Sequence, residues 1–212
     1  MHFLITAGPT REALDPVRYL SNRSSGRMGF ALAAAAAAAG HSVALIAGPV
    51  TLATPEGVHR VDVTSAQDMF DAVKATLSTA DAAIFSAAVA DHRPANPSAQ
   101  KIKKTDAALT ITLERTPDIL GSVRGVFGWR GFLVGFAAET EDLLPHAREK
   151  LERKGCDLIV ANDVSQPGIG FDSSDNAVTL VFRDGGIREL PRMAKDELAA
   201  LLIARIVAAA AK

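Results

Sequence analysis

Serine, asparagine, arginine and glycine crowd residues 21–29, "SNRSSGRMG", directly ahead of the alanine-rich run "FALAAAAAAAG". If that run is a helix, the stretch before it offers backbone N–H groups at the positive end of a helix dipole, which is a ready anion site. Gly26 and Gly29 carry no Cβ, so a phosphate or ribose can approach the backbone. Ser24 and Ser25 add hydroxyl donors, and Asn22 adds an amide that both donates and accepts. The plainer alternative is a loop ending in a serine N-cap. The stretch matches neither G-x-G-x-x-G nor the P-loop pattern. The long connection from Gly8 to Ser25 also differs from the tight turn of a dinucleotide fold.

Two further groups of cations bear on the same chemistry. In "KIKK", residues 101–104, an extended backbone would put Lys101 and Lys103 on one side and Ile102 and Lys104 on the other. Such a run is either a solvated surface or, on a mobile loop, a lid whose lysine closes over a polyphosphate. In "HAREKLERKG", Lys150 and Lys154 stand at i, i+4 on one helix face. Arg148 with Glu152, and Glu149 with Arg153, can pair at the same spacing, which leaves the two lysines unpaired and mutually repulsive along that helix. They serve either the helix C-terminus, where the dipole favours cations, or a ligand.

Other positions are less specific. Asp91 in "AAVADHR" follows a strand end, where open parallel sheets place ligand-binding residues, or it caps a turn. Phe136 in "GFAAET" is core or a surface for stacking a base, and Asn162 with Asp163 ends another strand. Cys156 reads as a small buried hydrophobe, since no His or second Cys stands near it. The five histidines show no ligand spacing, so no zinc site is expected. No nucleophile elbow appears.

The elements that must position these residues alternate between strand and helix. "HFLITAG" ends in glycine and reads as a buried first strand, followed by a helix over 26–39 stopped by Gly40. "SVALIAG", "VHRVDV" and "AAIFSAA" are strands, with a helix between the last two that Ser65 caps and that runs to about Leu77. Residues 89–107 break the rhythm with two prolines and read as a mobile active-site loop. "LTITLER" alternates strictly as a strand, "TPDILGSVRGVF" opens a helix at Pro117, and "FLVGFAAE" and "DLIVAND" bracket a charged helix over 140–154. Asp184-Gly185-Gly186 marks a β-hairpin, 177–190, and a helix over 194–211 closes the chain. The fold class is therefore α/β, Rossmann-like: a mostly parallel sheet with helices on both faces and a C-terminal hairpin appendage, in a single domain, 1–212.

Composition narrows the partners. A net charge of −1 supplies no global basic field, so neither nucleic acid nor a membrane surface is expected as partner and anion binding must come from local charge. A single cysteine excludes an internal disulfide framework and fits a reducing compartment. The start "MHFLITAGPT" lacks the basic flank of a secretory signal, so a cytoplasmic location is the expectation.

In order along the chain, "TAGPTREALDPVRYLSNRSSGRMG", "AAVADHR", "KIKK", "TPDIL", "VGFAAET" and "ANDVSQPGIGF" resemble the phosphopantothenoylcysteine synthetase (phosphopantothenate–cysteine ligase) domain family of coenzyme A biosynthesis. In bacteria this domain usually follows a flavin-dependent decarboxylase half. The sequence begins at the synthetase motif, so a free-standing synthetase or an excised domain is expected, with no flavin of its own. The resemblance implies a ligase joining 4′-phosphopantothenate and L-cysteine through an acyl-nucleotide, an acyl-CMP because the bacterial type uses CTP, with Mg²⁺. It implies Asn22 at the acyl carbonyl and Lys101 over the phosphates as catalytic groups. It also implies a nucleotide pocket of Gly8, Ser24, Gly26, Gly29, Asp91, Lys101, Pro117, Asp118, Ile119, Leu120, Phe136, Lys150, Lys154 and Asn162. Ala87, Ala88 and Asp91 would meet the pantothenate, and Arg18 its phosphate, reaching from a neighbouring subunit of a homodimer in which the hairpin is an assembly element. Metal ligands are not implied. Two rival readings are a nicotinamide-dependent Rossmann oxidoreductase and a non-catalytic nucleotide-binding module. The first lacks a glycine fingerprint and a Tyr-x-x-x-Lys pair, since Tyr19 is followed by Arg23.

Overall fold

The computed structural model describes residues 1–104, 108–139, 141–163 and 173–211. In chain order the first half comprises β1 (His2–Ala7), β2 (Arg11–Ala13), β3 (Tyr19–Ser21), α1 (Arg27–Ala38), β4 (Ser42–Ala47), β5 (Val58–Asp62), α2 (Ala66–Thr76) and β6 (Ala82–Phe85). The second half comprises β7 (His92–Pro94), β8 (Leu113–Arg115), α3 (Ile119–Gly125), β9 (Phe132–Glu139), α4 (Leu143–Lys154), β10 (Leu158–Asp163), β11 (Asp175–Phe182), β12 (Ile187–Ala194) and α5 (Lys195–Ala210). The main sheet has eight strands in the order β12-β11-β10-β9-β6-β1-β4-β5. From β5 to β10 neighbouring strands pair in parallel, and β11 and β12 add antiparallel. After β1 the chain first builds outward through β4 and β5, then returns to β6 on the other side of β1. That reversal opens a crevice at the carboxyl ends of the strands, where doubly wound folds bind ligands.

Strand alternation divides the core between the two faces. Phe3 and Ile5 of β1 join Ile84, Val134 and Val160 in one apolar layer with Phe30 and Leu32 of α1 and Leu198 and Leu202 of α5. Leu4 joins Ile46, Leu133 and Ile159 in the other, with Met69 and Val73 of α2, Ile119 and Val123 of α3, and Ala147 and Leu151 of α4. A slip of one residue would turn each set onto the wrong face, so the register of the central strands is fixed by burial.

Local signals set the helix ends. At Gly40, φ 80° reverses the chain after α1. The Gly40 N–H donates to the Ala37 carbonyl at 2.9 Å and the His41 N–H to the Ala36 carbonyl at 3.1 Å, a Schellman stop. Ser65 caps α2 as expected: its Oγ accepts the Asp68 N–H at 3.1 Å, and the Asp68 carboxylate accepts the Ser65 N–H at 2.9 Å.

The structure corrects several expectations. The hairpin is longer than 177–190 and is no appendage: β11 pairs with β10, so it completes the main sheet. α3 starts at Ile119 with Asp118 as N-cap, because the Asp118 carboxylate accepts the Gly121 N–H at 2.9 Å; Pro117 therefore stands before the helix and not in its first turn. Only Leu113–Arg115 of "LTITLER" is strand, and it pairs with His92–Pro94 inside the stretch read as a loop. α4 begins at Leu143, not at 140. Residues 105–107 of that loop, position 140 and residues 164–171 of "ANDVSQPGIGF" lie outside the described residues. Among the described residues no helix is long and apolar enough to cross a membrane.

Candidate functional site

A cavity of about 700 Å³ opens where β1, β6, β9 and β10 end, with Thr6, Ala87, Phe136 and Asn162 on its wall. α1 begins on this wall. Its N-cap is Gly26 at φ 75°, and no acid stands in its first turn. Among the described residues no side chain caps that turn; Ser24 Oγ instead accepts the N–H of Gly26 itself at 3.3 Å. The serine N-cap alternative therefore fails, and the first-turn amides are left for an anion. Gly29 is required by packing: a Cβ there would lie 2.4 Å from the Ala7 Cβ and 2.7 Å from the Ser86 Oγ. Glycine lets α1 press onto the end of β1 and onto Ser86, just after β6.

Hydrogen bonds to the end of β1 hold the opposite lip. Ser86 Oγ donates to the Thr6 carbonyl at 2.7 Å, the Ala88 N–H to the Gly8 carbonyl at 2.9 Å and the Ala90 N–H to Thr10 Oγ1 at 3.0 Å. Asn22 spans the gap, its Nδ2 donating to the Val89 carbonyl at 2.9 Å and the Ala88 carbonyl at 3.3 Å. Thr116 closes the segment, its N–H donating to the Asp91 carbonyl at 3.0 Å and its Oγ1 to the Ala90 carbonyl at 2.5 Å.

α4 contributes the lysines, in a way the spacing did not foresee. They are not an unpaired, repelling couple. Lys154 forms an ion pair with Asp118, the N-cap of α3. Lys150 Nζ donates to the Phe136 carbonyl at 2.8 Å. Burial pushes the Lys150 pKa below the ordinary lysine value, with Glu139 acting against that shift. For Asp118, burial works to raise the pKa, but the Lys154 hydrogen bond, the Gly121 N–H and the charges of Lys154 and Arg153 prevail and hold it low. Arg153 pairs with Glu149 at 3.7 Å, as the spacing suggested.

Asn22, Ser24, Gly26, Gly29, Ala87, Ala88, Asp91, Pro117, Asp118, Ile119, Leu120, Phe136, Lys150, Lys154 and Asn162 all line this cavity. Gly8, Arg18 and Lys101 do not. Gly8 backs the wall, its Cα lying 3.4 Å from where a Gly26 Cβ would be. Arg18 sits on the turn between β2 and β3, bound to Asp15 and to the Ile102 carbonyl, and Lys101 is exposed beside that contact. Cys156 is fully buried, and burial pushes its thiol up to about 12, so it behaves as the expected hydrophobe.

Sequence reading missed Arg27, Arg115, Arg153 and Lys195 on the wall. Arg115 directly precedes "TPDIL", which was a usable signal. Lys195 had none: it opens α5, 6% exposed, after a hairpin that looked peripheral. With Lys150 and Lys154 these make the wall strongly cationic, against Asp91 and Asp118 as the carboxylates among its described residues. That local charge, in a chain of net −1, is what an anionic ligand needs. Among the described residues no group of three His, Cys, Asp or Glu side chains could hold a metal ion. Asp91 is an exposed carboxylate on that wall, and a Mg²⁺ ion carried on ligand phosphates would need no more than one such donor.

A glycine-floored cationic cavity at the switch point of a doubly wound sheet defines an α/β protein built to bind an anionic ligand. Residues 1–210 match the DNA/pantothenate metabolism flavoprotein C-terminal domain, and the chain belongs to that family. It is 54% identical over 205 residues to the coenzyme A biosynthesis bifunctional protein CoaBC of Vibrio vulnificus (strain YJ016), covering 96% of this chain and 51% of that protein. It is 50% identical over 210 residues to CoaBC of Escherichia coli (strain K12), covering 98% and 52%. The chain thus spans about half the length of these relatives. The crystal structure of a CoaBC C-terminal domain is similar with a TM-score of 0.82 at 41% identity, covering 97% of this chain and 93% of that one. The DNA/pantothenate metabolism flavoprotein of Streptococcus pneumoniae is similar with a TM-score of 0.84 at 28% identity, covering 98% and 99%.

Proposed function

We propose that this chain is a phosphopantothenate–cysteine ligase of coenzyme A biosynthesis, using CTP and Mg²⁺, in the cytoplasm and as a homodimer. The observation that carries the reading is the cationic wall facing the uncapped start of α1. Support comes also from relatives that are bifunctional proteins of coenzyme A biosynthesis. The partner activity that the family resemblance implies, a flavin-dependent decarboxylase, would be fused or associated.

In the first step a phosphopantothenate carboxylate oxygen bonds to the α-phosphorus of CTP, and the bond to pyrophosphate breaks. In the second, the cysteine amine bonds to the acyl carbon, loses a proton, and CMP leaves. Such transfers ask for positioning and charge neutralisation and need no protein nucleophile. Mg²⁺ would neutralise charge on the phosphoryl oxygens. The α1 amides bind phosphate oxygens, Lys150 and Lys154 the triphosphate, and Asn22 orients the acyl group beside the Ala87–Ala88 backbone. Lys101 reaches the phosphates from the exposed segment, and Arg18 binds the substrate phosphate.

Pyrophosphate release tests this directly. With CTP and phosphopantothenate but no cysteine, about one equivalent per site is expected, and CMP appears only once cysteine is added. Absence of pyrophosphate with any nucleoside triphosphate overturns the ligase reading and leaves a nicotinamide oxidoreductase or a binding module. Equal or better use of ATP overturns the CTP assignment alone.

A further inference from the structure

Asp15 lies on the turn between β2 and β3, outside the cavity and 3% exposed. Its Oδ1 accepts the N–H groups of Val17 and Arg18, each at 2.9 Å. Its Oδ2 accepts Arg18 Nε at 3.0 Å and Nη2 at 2.5 Å. The same Oδ2 accepts the N–H of Ile102 at 3.1 Å, and Arg18 Nη2 donates to the Ile102 carbonyl at 3.0 Å. One ion pair thus grips both backbone groups of a residue more than eighty positions away in sequence. Nearby, the Ser98 N–H donates to the Leu14 carbonyl at 2.9 Å. Lys101, Lys103 and Lys104 are exposed, and Ile102 between them is half-buried.

We propose that the Asp15–Arg18 pair anchors the lysine-bearing segment, so that Asp15 is a positioning residue acting through Lys101. Holding the N–H and the carbonyl of Ile102 fixes the peptide planes on both sides of its Cα, the first of which adjoins the Lys101 Cα. A long, polar segment gains little from apolar burial and needs such an anchor to place an ammonium group repeatedly. The Arg18 hydrogen bond, opposed by burial and aided by the Val17, Ile102 and Arg18 amides, holds the Asp15 carboxylate far below the ordinary range. The pair also fixes Arg18. This inference rests on the role given to Lys101 above.

The test compares the wild type with Asp15→Asn, Lys101→Gln and the double variant. Two readouts are taken: the single-turnover rate of pyrophosphate formation at saturating nucleotide and saturating phosphopantothenate, so that any loss through Arg18 binding is removed, and nucleotide affinity. Asp15→Asn is expected to slow the first step about tenfold to a hundredfold with affinity unchanged, the scale of misplacing a reacting group by about an ångström. The double variant is expected to be no slower than Lys101→Gln, because residues that act through one another are not additive. Trypsin should also cut after Lys101, Lys103 and Lys104 several-fold faster in Asp15→Asn, with other sites unaffected. Should Asp15→Asn fail to fold, Ile102→Pro, which removes the amide that Asp15 accepts but also the half-buried side chain, is expected to reproduce the slowing, and Ile102→Ala, which keeps the amide, is expected not to. Multiplying rate losses, or unchanged tryptic cleavage, overturn the anchor and leave the ligase reading standing. Wild-type turnover in Lys101→Gln overturns the role of Lys101 itself.

Discussion

α1 and α2 pack on opposite faces of one sheet and begin in opposite ways. α2 satisfies its own first turn: Ser65 and Asp68 exchange hydrogen bonds, and the Ala66 N–H donates to Glu12 Oε1 at 2.8 Å. α1 starts at a left-handed glycine with no capping side chain and no acid in its first turn. Ser65 and Asp68 lie off the cavity, whereas Ser25, Gly26 and Arg27 line it. A helix start that leaves its donors unmet forgoes about 1 kcal/mol of capping. Among the described residues no side chain meets them at the one of these two sites that faces a cationic cavity. The difference separates a helix end that serves stability from one that serves a ligand.

The comparison breaks most sharply at Gly26. Gly26→Asp would supply α1 with the carboxylate α2 already has, and occupy the anion site with it. Two negative charges about 5 Å apart at an effective dielectric near 20 repel by about 3 kcal/mol, so nucleotide affinity should fall about 10²-fold. Any side chain at φ 75° is strained and would press on Val50 Cγ1 at 3.0 Å, so Gly26→Asn is the control for shape. Titration with the Mg²⁺ nucleotide should separate the two variants. Equal losses would mean that the site needs the glycine for its geometry and not for its charge.

How legible this was in the sequence follows the range of each interaction. The Ser65–Asp68 box is three residues long and was readable at once. The central strands were readable because burial writes itself into composition, as in "HFLITA". The anion loop was readable as residue types, but not its missing cap, which depends on where the first helical turn begins. The Lys154–Asp118 pair joins residues 36 apart, and the Asp15–Ile102 bond residues 87 apart. No spacing rule reaches that far, so the lysines looked unpaired and Asp15 did not figure at all. The hairpin looked separate for the same reason: its turn is local, but its pairing with β10 is not.

Lys150 sharpens the comparison from the other side of the cavity. If the α1 amides and the α4 ammonium grip one triphosphate, Lys150→Gln should raise the nucleotide KM about tenfold or somewhat more, the worth of a hydrogen bond to a charged group. kcat should change little, because Lys150 is already held by the Phe136 carbonyl before any ligand arrives. Glutamine can keep that hydrogen bond, so the fold should hold. The pH dependence has a definite sign. Burial lowers the folded-state pKa of Lys150, so below it the charged lysine costs stability. Between that pKa and the unfolded value the unfolded chain binds more protons, and stability rises with pH. Wild type should therefore gain on Lys150→Gln as alkaline pH crosses that window, measured by urea unfolding. A variant that loses stability at neutral pH while keeping its KM would assign Lys150 to the helix and not to the ligand.

The smallest effect tests the other pole. Ser65→Ala removes the hydroxyl that accepts the Asp68 N–H and should cost about 1 kcal/mol, or roughly 2–4 °C in Tm for a chain of this size. KM and kcat should not move, since Ser65 does not line the cavity. Acid should narrow the deficit. The backbone hydrogen bond from Ser65, opposed by burial and helped by the Ser65 hydroxyl and the Thr64 amide, holds the Asp68 pKa below its ordinary value. A carboxylate with a lowered folded pKa stabilises the fold above its unfolded pKa, and that contribution is lost as pH falls through the folded one. In the variant the hydroxyl's share is already gone, so there is less to lose on acidification. Thermal melts of both proteins from pH 7 downward should converge partway. If Ser65→Ala instead raises the nucleotide KM, α2 is coupled to the cavity, and the division of labour between the two helix ends fails.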